Sequence, residues 1–246
     1  MRIRYSTIRD LNPFFFWCMH YISKLLKRKT WSSLVFGQRA EDYFFSKLID
    51  VNQKPKYMDI GAYHPIIYSN TYTLYKKGCR GINIDMSDRT IELFNRFRKN
   101  DVNICAAISN SDSDLTKAYY MSVDGLSPIN TIDEDLANRH AKKFNATLNE
   151  KLIKTTTLLK IFSDYEIEPR SIDILNIDVE GLDYEVLSQW PFNIAKPKLI
   201  CIEMLTNEYE EIKKSKIHAL LSQNDYKINY WLMPSIIYVR KFNSSF

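Results

Sequence analysis

The sequence predicts an α/β fold: a mostly parallel sheet with helices on both faces, closed by a C-terminal antiparallel hairpin. Three observations predict it. From about residue 40, short apolar strand-like runs alternate with helical patterns, the signature of successive βαβ units. Most of those runs end in an acidic residue, and the first leads straight into Gly61. The last two runs, 226–233 and 236–240, flank Pro234-Ser235 as the arms of a hairpin do.

The elements follow in order. Residues 40–49 place Phe44, Phe45, Leu48 and Ile49 on one helical side. Residues 57–60 form the first strand. Residues 70–77 read as a helix stopped by Gly78, and 80–85 as the second strand. Residues 89–99 give the next helix and 103–108 a short third strand. Between 109 and 149 the pattern loosens into polar, turn-rich sequence with Asp124-Gly125 and Ser127-Pro128; this stretch is expected to be an insertion carrying substrate contacts. A helix at 158–165, a strand at 172–178, a helix at 184–189, a strand at 198–203 and a helix at 208–223 lead to the hairpin.

Composition sets the broad class. The 246 residues are 45% hydrophobic and 26% charged, a balance that excludes disorder and provides for a sizeable core. The net charge of +5 is unevenly spread: residues 1–39 carry eight basic side chains against Asp10 alone, so residues 40–246 are weakly acidic. The chain therefore divides into a basic appendage, 1–39, and one domain, 40–246. Within the appendage Phe14, Trp17, Cys18, Tyr21, Ile22 and Leu25 recur at helical spacing. That stripe docks on the domain, lies in a membrane interface, or meets a partner. The apolar run is short of the roughly 20 residues a spanning helix needs, and no small-residue cleavage site follows it. Cys18, Cys79, Cys105 and Cys201 have neither CxxC spacing nor disulfide-scaffold density, so reduced, mostly buried thiols and a cytoplasmic setting are expected, with peripheral contact at the inner face of the membrane through 1–39. Four histidines, none paired at ligand spacing, argue against a zinc site.

In an open parallel sheet, ligands bind outside the carboxyl ends of the strands. Those ends read Asp59-Ile60-Gly61, Asp85, Ala106-Ala107, Asp178-Val179-Glu180-Gly181 and Glu203. Gly61 allows close backbone approach, and Asp59 before it suits the ammonium of an amino-acid moiety. Asp85, closing the second strand, suits a ribose diol. A dinucleotide would require G-x-G-x-x-G, but only the first glycine is present in Gly61-Ala62-Tyr63-His64-Pro65. A nucleoside cofactor without phosphates fits better, and S-adenosylmethionine has none. Ala62, Asn70 and Ala106 complete the expected cofactor set.

At these motifs the sequence resembles the FkbM-type methyltransferases. The resemblance rests on residues 59–65, Ser69-Asn70-Thr71, Leu74 to Gly78, Arg80 to Asp85, Asn130-Thr131 and Ile177 to Asp183, in that order. It implies a Rossmann-like class I methyltransferase fold with a seven-stranded sheet, S-adenosylmethionine as donor and usually O-methylation, often of sugars on glycans, lipopolysaccharides or natural products. Many members carry histidine and glutamate after the Glu-Gly pair, where Leu182 and Asp183 stand here.

Methyl transfer to a hydroxyl needs alignment of the reactants and a group that removes the proton. Asp178 and Glu180 are expected to line that site, with His64 as a second candidate base. Glu180 has an alternative role as an anion at the start of the next helix. No metal is expected; a divalent ion on Asp178, Glu180 and Glu203 is the lesser alternative, since hard oxygen ligands suit magnesium. Two other functions compete with the sugar reading. A nucleic-acid methyltransferase would use the basic N-terminus, but residues 40–246 lack a basic, aromatic-interleaved surface. A non-catalytic binding module would not need the carboxylates at the strand ends.

Overall fold

The computed structural model describes residues 35–112 and 115–241. The chain divides into two compact units, Met1–Val35 and Phe36–Phe246. The apolar stripe from Phe14 to Leu25 lies outside the described residues. No helix among the described residues is long and apolar enough to cross a membrane.

The second unit runs α1 (Glu41–Leu48), β1 (Tyr57–Ile60), α2 (Tyr72–Lys76), β2 (Gly81–Asp85), α3 (Asp88–Phe97), β3 (Val102–Cys105), β4 (Ala107–Ile108), β5 (Leu115–Tyr120), α4 (Glu134–Phe144), β6 (Asn149–Thr156), α5 (Leu158–Asp164), β7 (Ile174–Ile177), α6 (Asp183–Ser188), β8 (Leu199–Glu203), α7 (Tyr209–Lys214), α8 (Lys216–Gln223), β9 (Tyr226–Leu232) and β10 (Ser235–Arg240). The main sheet has seven strands in the order β3-β2-β1-β7-β8-β10-β9. β1, β2, β3, β7 and β8 pair in parallel, and β10 runs antiparallel to both of its neighbours. This is the expected α/β, Rossmann-like methyltransferase architecture. The chain leaves β1 toward β3 and returns on the other side at β7, so the strand order reverses between β1 and β7.

Side chains alternate across the buried strands. Met58, Ile60, Leu175, Ile177, Ile200 and Ile202 pack with Leu158, Phe162, Leu187, Ile212 and Leu221 of α5 to α8. Tyr57, Ile174, Leu199 and Cys201 face the other way, against Phe45 of α1 and Leu74 of α2. Strands covered on both sides read as mostly apolar runs, interrupted here by Asp59 and Asn176, which is why 57–60 and 174–177 are legible as parallel strands. Helix starts are fixed by side-chain caps. Ser87 accepts from the Thr90 amide at 3.3 Å, Asp133 from Leu136 at 2.8 Å and Thr157 from Lys160 at 3.2 Å.

Three expectations need correction. The run 103–108 is two strands: β3 closes the edge of the main sheet, and β4 pairs in parallel with β6 of a second sheet ordered β4-β6-β5. A continuous apolar run carries no mark of the crossing at Ala106. Residues 109–149 are not loose; they contain β5 and α4 and open into β6, which pairs antiparallel with β5. The helix expected at 208–223 is two helices, because Ser215 turns extended and caps the second by accepting from the His218 amide at 3.0 Å. Of the cysteines, Cys79 and Cys201 are buried, Cys105 is exposed, and all three are free thiols.

A row of polar residues runs across the face of the sheet that carries α1 and α2. Asn83, Asp59 and Asn176 stand in register on β2, β1 and β7. Asn83 donates to Asn103 at 2.8 Å, Asn176 to Asp59 at 2.8 Å, and Asn70 to Asn176 at 3.1 Å. Arg98, at the end of α3 and fully buried, anchors the row. Its guanidinium donates to the Pro65 carbonyl at 2.8 Å, Thr71 Oγ1 at 2.7 Å, Asn83 Oδ1 at 3.3 Å and Ser69 Oγ. The rings of Tyr72, Tyr75 and Phe94 surround it, with centroids 5.0 to 5.7 Å from Cζ.

Replacing Arg98 with Met strands four acceptors and leaves Asp59 without its buried counter-charge. The expected loss is about 3–5 kcal/mol in denaturant unfolding. Arg98→Lys should recover little of it, because one ammonium cannot reproduce the planar fork. Near-native stability in either variant would contradict this account.

Candidate active site

Parallel pairing brings the ends of β1, β2, β7 and β8 to one edge of the sheet, and with them Asp59, Asp85, Asp178 and Glu203. Just past β1, the amides of Gly61 and Ala62 both donate to the Ile84 carbonyl, at 2.9 and 3.0 Å, while the Asp178 amide donates to Ile60 at 2.9 Å. Gly61 thus sits where β1 and β7 part, at φ +84°, and a Cβ there would lie 1.7 Å from the Asp178 carbonyl oxygen. Only glycine fits this crossing.

Two cavities open at this edge. The first has an apolar floor of Ile60, Ile84 and Ile108 and a roof of Ser127-Pro128 and residues 130–132; Gly61, Asp85 and Ala106 line it. The second is the larger and more polar, and is lined by Asp59, Ala62, His64, Asn70, Asn176, His140, Lys143 and Glu203 among others. Gly61, Tyr63, Pro128, Asp178 and Glu180 line both, so the two chambers meet at those five residues.

The roof comes from the second sheet. Thr131 exchanges backbone hydrogen bonds with Tyr119 of β5, and Asn130 donates to the Gly125 carbonyl at 2.7 Å while accepting from the Met121 amide at 3.2 Å. Thr131 Oγ1 donates to the Glu180 carbonyl at 2.7 Å. Glu180 adopts a left-handed backbone, φ 52°, a conformation disfavoured for any residue with a side chain. The tether from Thr131 holds it there. The role of anion at the helix start falls to Asp183, which accepts from the Val179 and Gly181 amides at 3.2 Å each. Glu180 is left to face the chamber.

Electrostatics at the junction is dominated by crowded carboxyls. Oxygens of Asp178, Glu180 and Glu203 lie within 4.8 Å of one another, a spacing that no other group among the described residues matches for holding a metal ion. Burial, then repulsion from neighbouring carboxyls, raises all three above the ordinary range: Asp178 strongly and Glu180 to about 9, both against Glu203, and Glu203 to about 7 against Asp183. Glu203 Oε2 is buried and has no hydrogen-bond partner. Burial raises Asp85 to about 7, opposed by its hydrogen bond from the Ser87 amide at 2.7 Å.

The expected residues separate between the chambers. Asp85 and Ala106 line the first; Asp59, Ala62, Asn70 and His64 line the second; Gly61, Asp178 and Glu180 stand at the junction. Asp59 is deeply enclosed, with Oδ1 accepting from Asn176 and Oδ2 from Thr71 at 2.6 Å. His64 Nδ1 accepts from the amides of Ile66 and Ile67 at 3.1 and 3.0 Å, which fixes the ring as a loop staple. Asn70 is 8% exposed and its Oδ1 has no hydrogen-bond partner. His140 of α4, absent from the expected set, lies with Nε2 3.9 Å from Glu180 Oε2. Its spacing after Leu136 and Ala137 marks a buried helical face and was the available signal.

Carboxyls raised by burial bind protons in the folded state that the unfolded chain releases near pH 4. Their contribution is present at low pH and is lost as pH rises through the folded values. The melting temperature of the ligand-free protein is therefore expected to fall from about pH 5 to about pH 9, and Glu180→Gln should flatten that decline. A melting temperature that rises across this window would contradict the assignment.

No curated protein matches the chain. Comparison with protein families matches residues 59–228 to the family described as Methyltransferase FkbM domain. The match runs from within β1 into β9 and includes the first chamber, the roof, the junction and most of the second chamber's lining, with Gln38, Arg39, Glu41 and Pro234 outside it. The chain belongs to the FkbM methyltransferase family.

Proposed function

We propose that the protein transfers the methyl group of S-adenosylmethionine to a hydroxyl of a sugar, carried on a glycan, a glycolipid or a related metabolite. The observation that carries this reading is the meeting of an apolar chamber and a polar chamber at Gly61, Asp178 and Glu180. Group transfer needs donor and acceptor sites that open onto one another.

The chamber residues fit the donor. Ile60, Ile84 and Ile108 suit a flat apolar base, and Asp85 suits a ribose diol. The unpartnered Asn70 Oδ1 is a buried acceptor suited to an ammonium group, with the negative charge of Asp59 nearby in the same chamber wall. The bound cofactor supplies an electrophilic methyl on a positively charged sulfur. The chain's own residues hold and orient the reactants, exclude water beneath the roof, and accept the hydroxyl proton at the junction.

Support for a sugar acceptor comes from the second chamber, where Asn176, Glu180, Glu203 and His140 offer hydrogen-bonding capacity beside Tyr63, Tyr68 and Phe144. In this reading the reaction is cytoplasmic and uses no metal. The proton that Glu180, raised to about 9, retains near neutrality offsets charge that a cation would otherwise have to balance.

Incubation with methyl-labelled S-adenosylmethionine and fractionated glycans, lipids and RNA tests the proposal. Label is expected in a carbohydrate-bearing fraction; label in RNA alone would refute it. Asp85→Ala should weaken cofactor binding about 10- to 100-fold by calorimetry, the worth of hydrogen bonds to a charged group. Because the diol requires the ionised carboxylate, affinity should rise with pH through about 7 and lose that dependence in Asp85→Asn. Turnover should persist in excess chelator; a loss restored by magnesium would reassign the three carboxyls to a metal.

A further inference from the structure

We propose that His140 is the general base of the transfer, seating the acceptor hydroxyl between its Nε2 and Glu180 Oε2. The inference rests on reading the polar chamber as the acceptor site. The two atoms are 3.9 Å apart, too far to hydrogen-bond to each other. One oxygen at about 2.8 Å from each fits between them. Glu180 stands where the chambers meet and His140 lines the acceptor side, so an oxygen held there faces the donor.

The alternatives are weaker bases in this setting. His64 would have to release two backbone amides from Nδ1 before that nitrogen could take a proton. Burial and neighbouring carboxyls raise Asp178 well above the ordinary range and Glu180 to about 9, so Glu180 holds its proton near neutrality, and Glu203, raised to about 7, would have to ionise beside Asp183. A neutral imidazole needs no proton removed before it acts, because one ring nitrogen already carries a free lone pair. Burial lowers the affinity of His140 for a proton, assisted by Lys143 and Arg139 on its own helix, while the Ile129 carbonyl and the neighbouring Glu180 face it from the other elements. The ring is therefore neutral and able to accept near pH 7.

In the step, the acceptor O–H bond breaks and its proton passes to Nε2. The oxygen forms a bond to the methyl carbon, and the electron pair of the broken carbon–sulfur bond stays on sulfur, leaving a neutral thioether. The imidazolium then returns its proton to solvent.

Two measurements test this. In protein labelled with ¹³C-histidine, the His140 ring, identified by its absence in His140→Gln, is expected to titrate below ordinary histidine; titration above it would overturn the proposal, whatever the acceptor. On the carbohydrate fraction that the wild-type protein labels, His140→Gln should lower kcat about 10²- to 10⁴-fold, remove the acidic limb of the pH profile, and leave cofactor affinity within about twofold. Activity within about threefold of wild type, or a loss matched by weaker cofactor binding, would overturn it. Failure of the wild-type protein to label any carbohydrate would instead refute the sugar reading, and the ring titration would still judge His140.

Discussion

A guanidinium with no exposed surface has to find every partner inside the protein, and Arg98 does so by gathering the loop that follows β1. Its bonds to Pro65, Ser69, Thr71 and Asn83 draw residues 65–71 against the sheet, and Thr71 relays the contact to Asp59. Asn70 is held between these anchored neighbours and is turned toward Asn176 and the polar chamber. Desolvating an arginine is costly, and the surrounding acceptors, aromatic faces and the Asp59 charge offset that cost. The wall of the candidate site is thus built on a cation that never touches the site.

The site also depends on two sheets meeting. The main sheet delivers Asp85, Asp178 and Glu203 through strand ends, while the small sheet delivers the roof and, through α4, His140. Glu180 lies where they join. Its left-handed backbone is unfavourable by itself and persists because Thr131 holds its carbonyl and Asp183 holds the amides on either side. That geometry points its carboxyl into the chamber rather than along the following helix.

The sequence was most legible where one rule governs many residues. Parallel strands buried on both faces are unmistakable apolar runs, and since their carboxyl ends share an edge, the acids there could be grouped without a structure. The fate of each acid was less legible. Nothing local to Asp59 announces Thr71, Asn176 or Arg98, and nothing local to His64 announces that its own loop amides occupy its ring. The turn-rich reading of 109–149 weighed Gly, Pro and Ser too heavily against real signals: the β-branched and aromatic side chains of 116–120, and the cap at Asp133 followed by Leu136, Ala137 and His140. The crossing at Ala106 had no signal, because both sheets take apolar residues there.

The tie between Tyr119 and Thr131 gives the molecule an evolutionary seam. Thr131 fastens the roof loop to the small sheet by backbone bonds, which any residue but proline at position 119 can make, and reaches the main sheet through one hydroxyl. Sequence on the far side of that fastening can diverge, lengthen or be exchanged with that of a relative while the strand ends beneath keep their register. A change in that loop therefore reshapes the cover of the first chamber without disturbing the sheet that floors it.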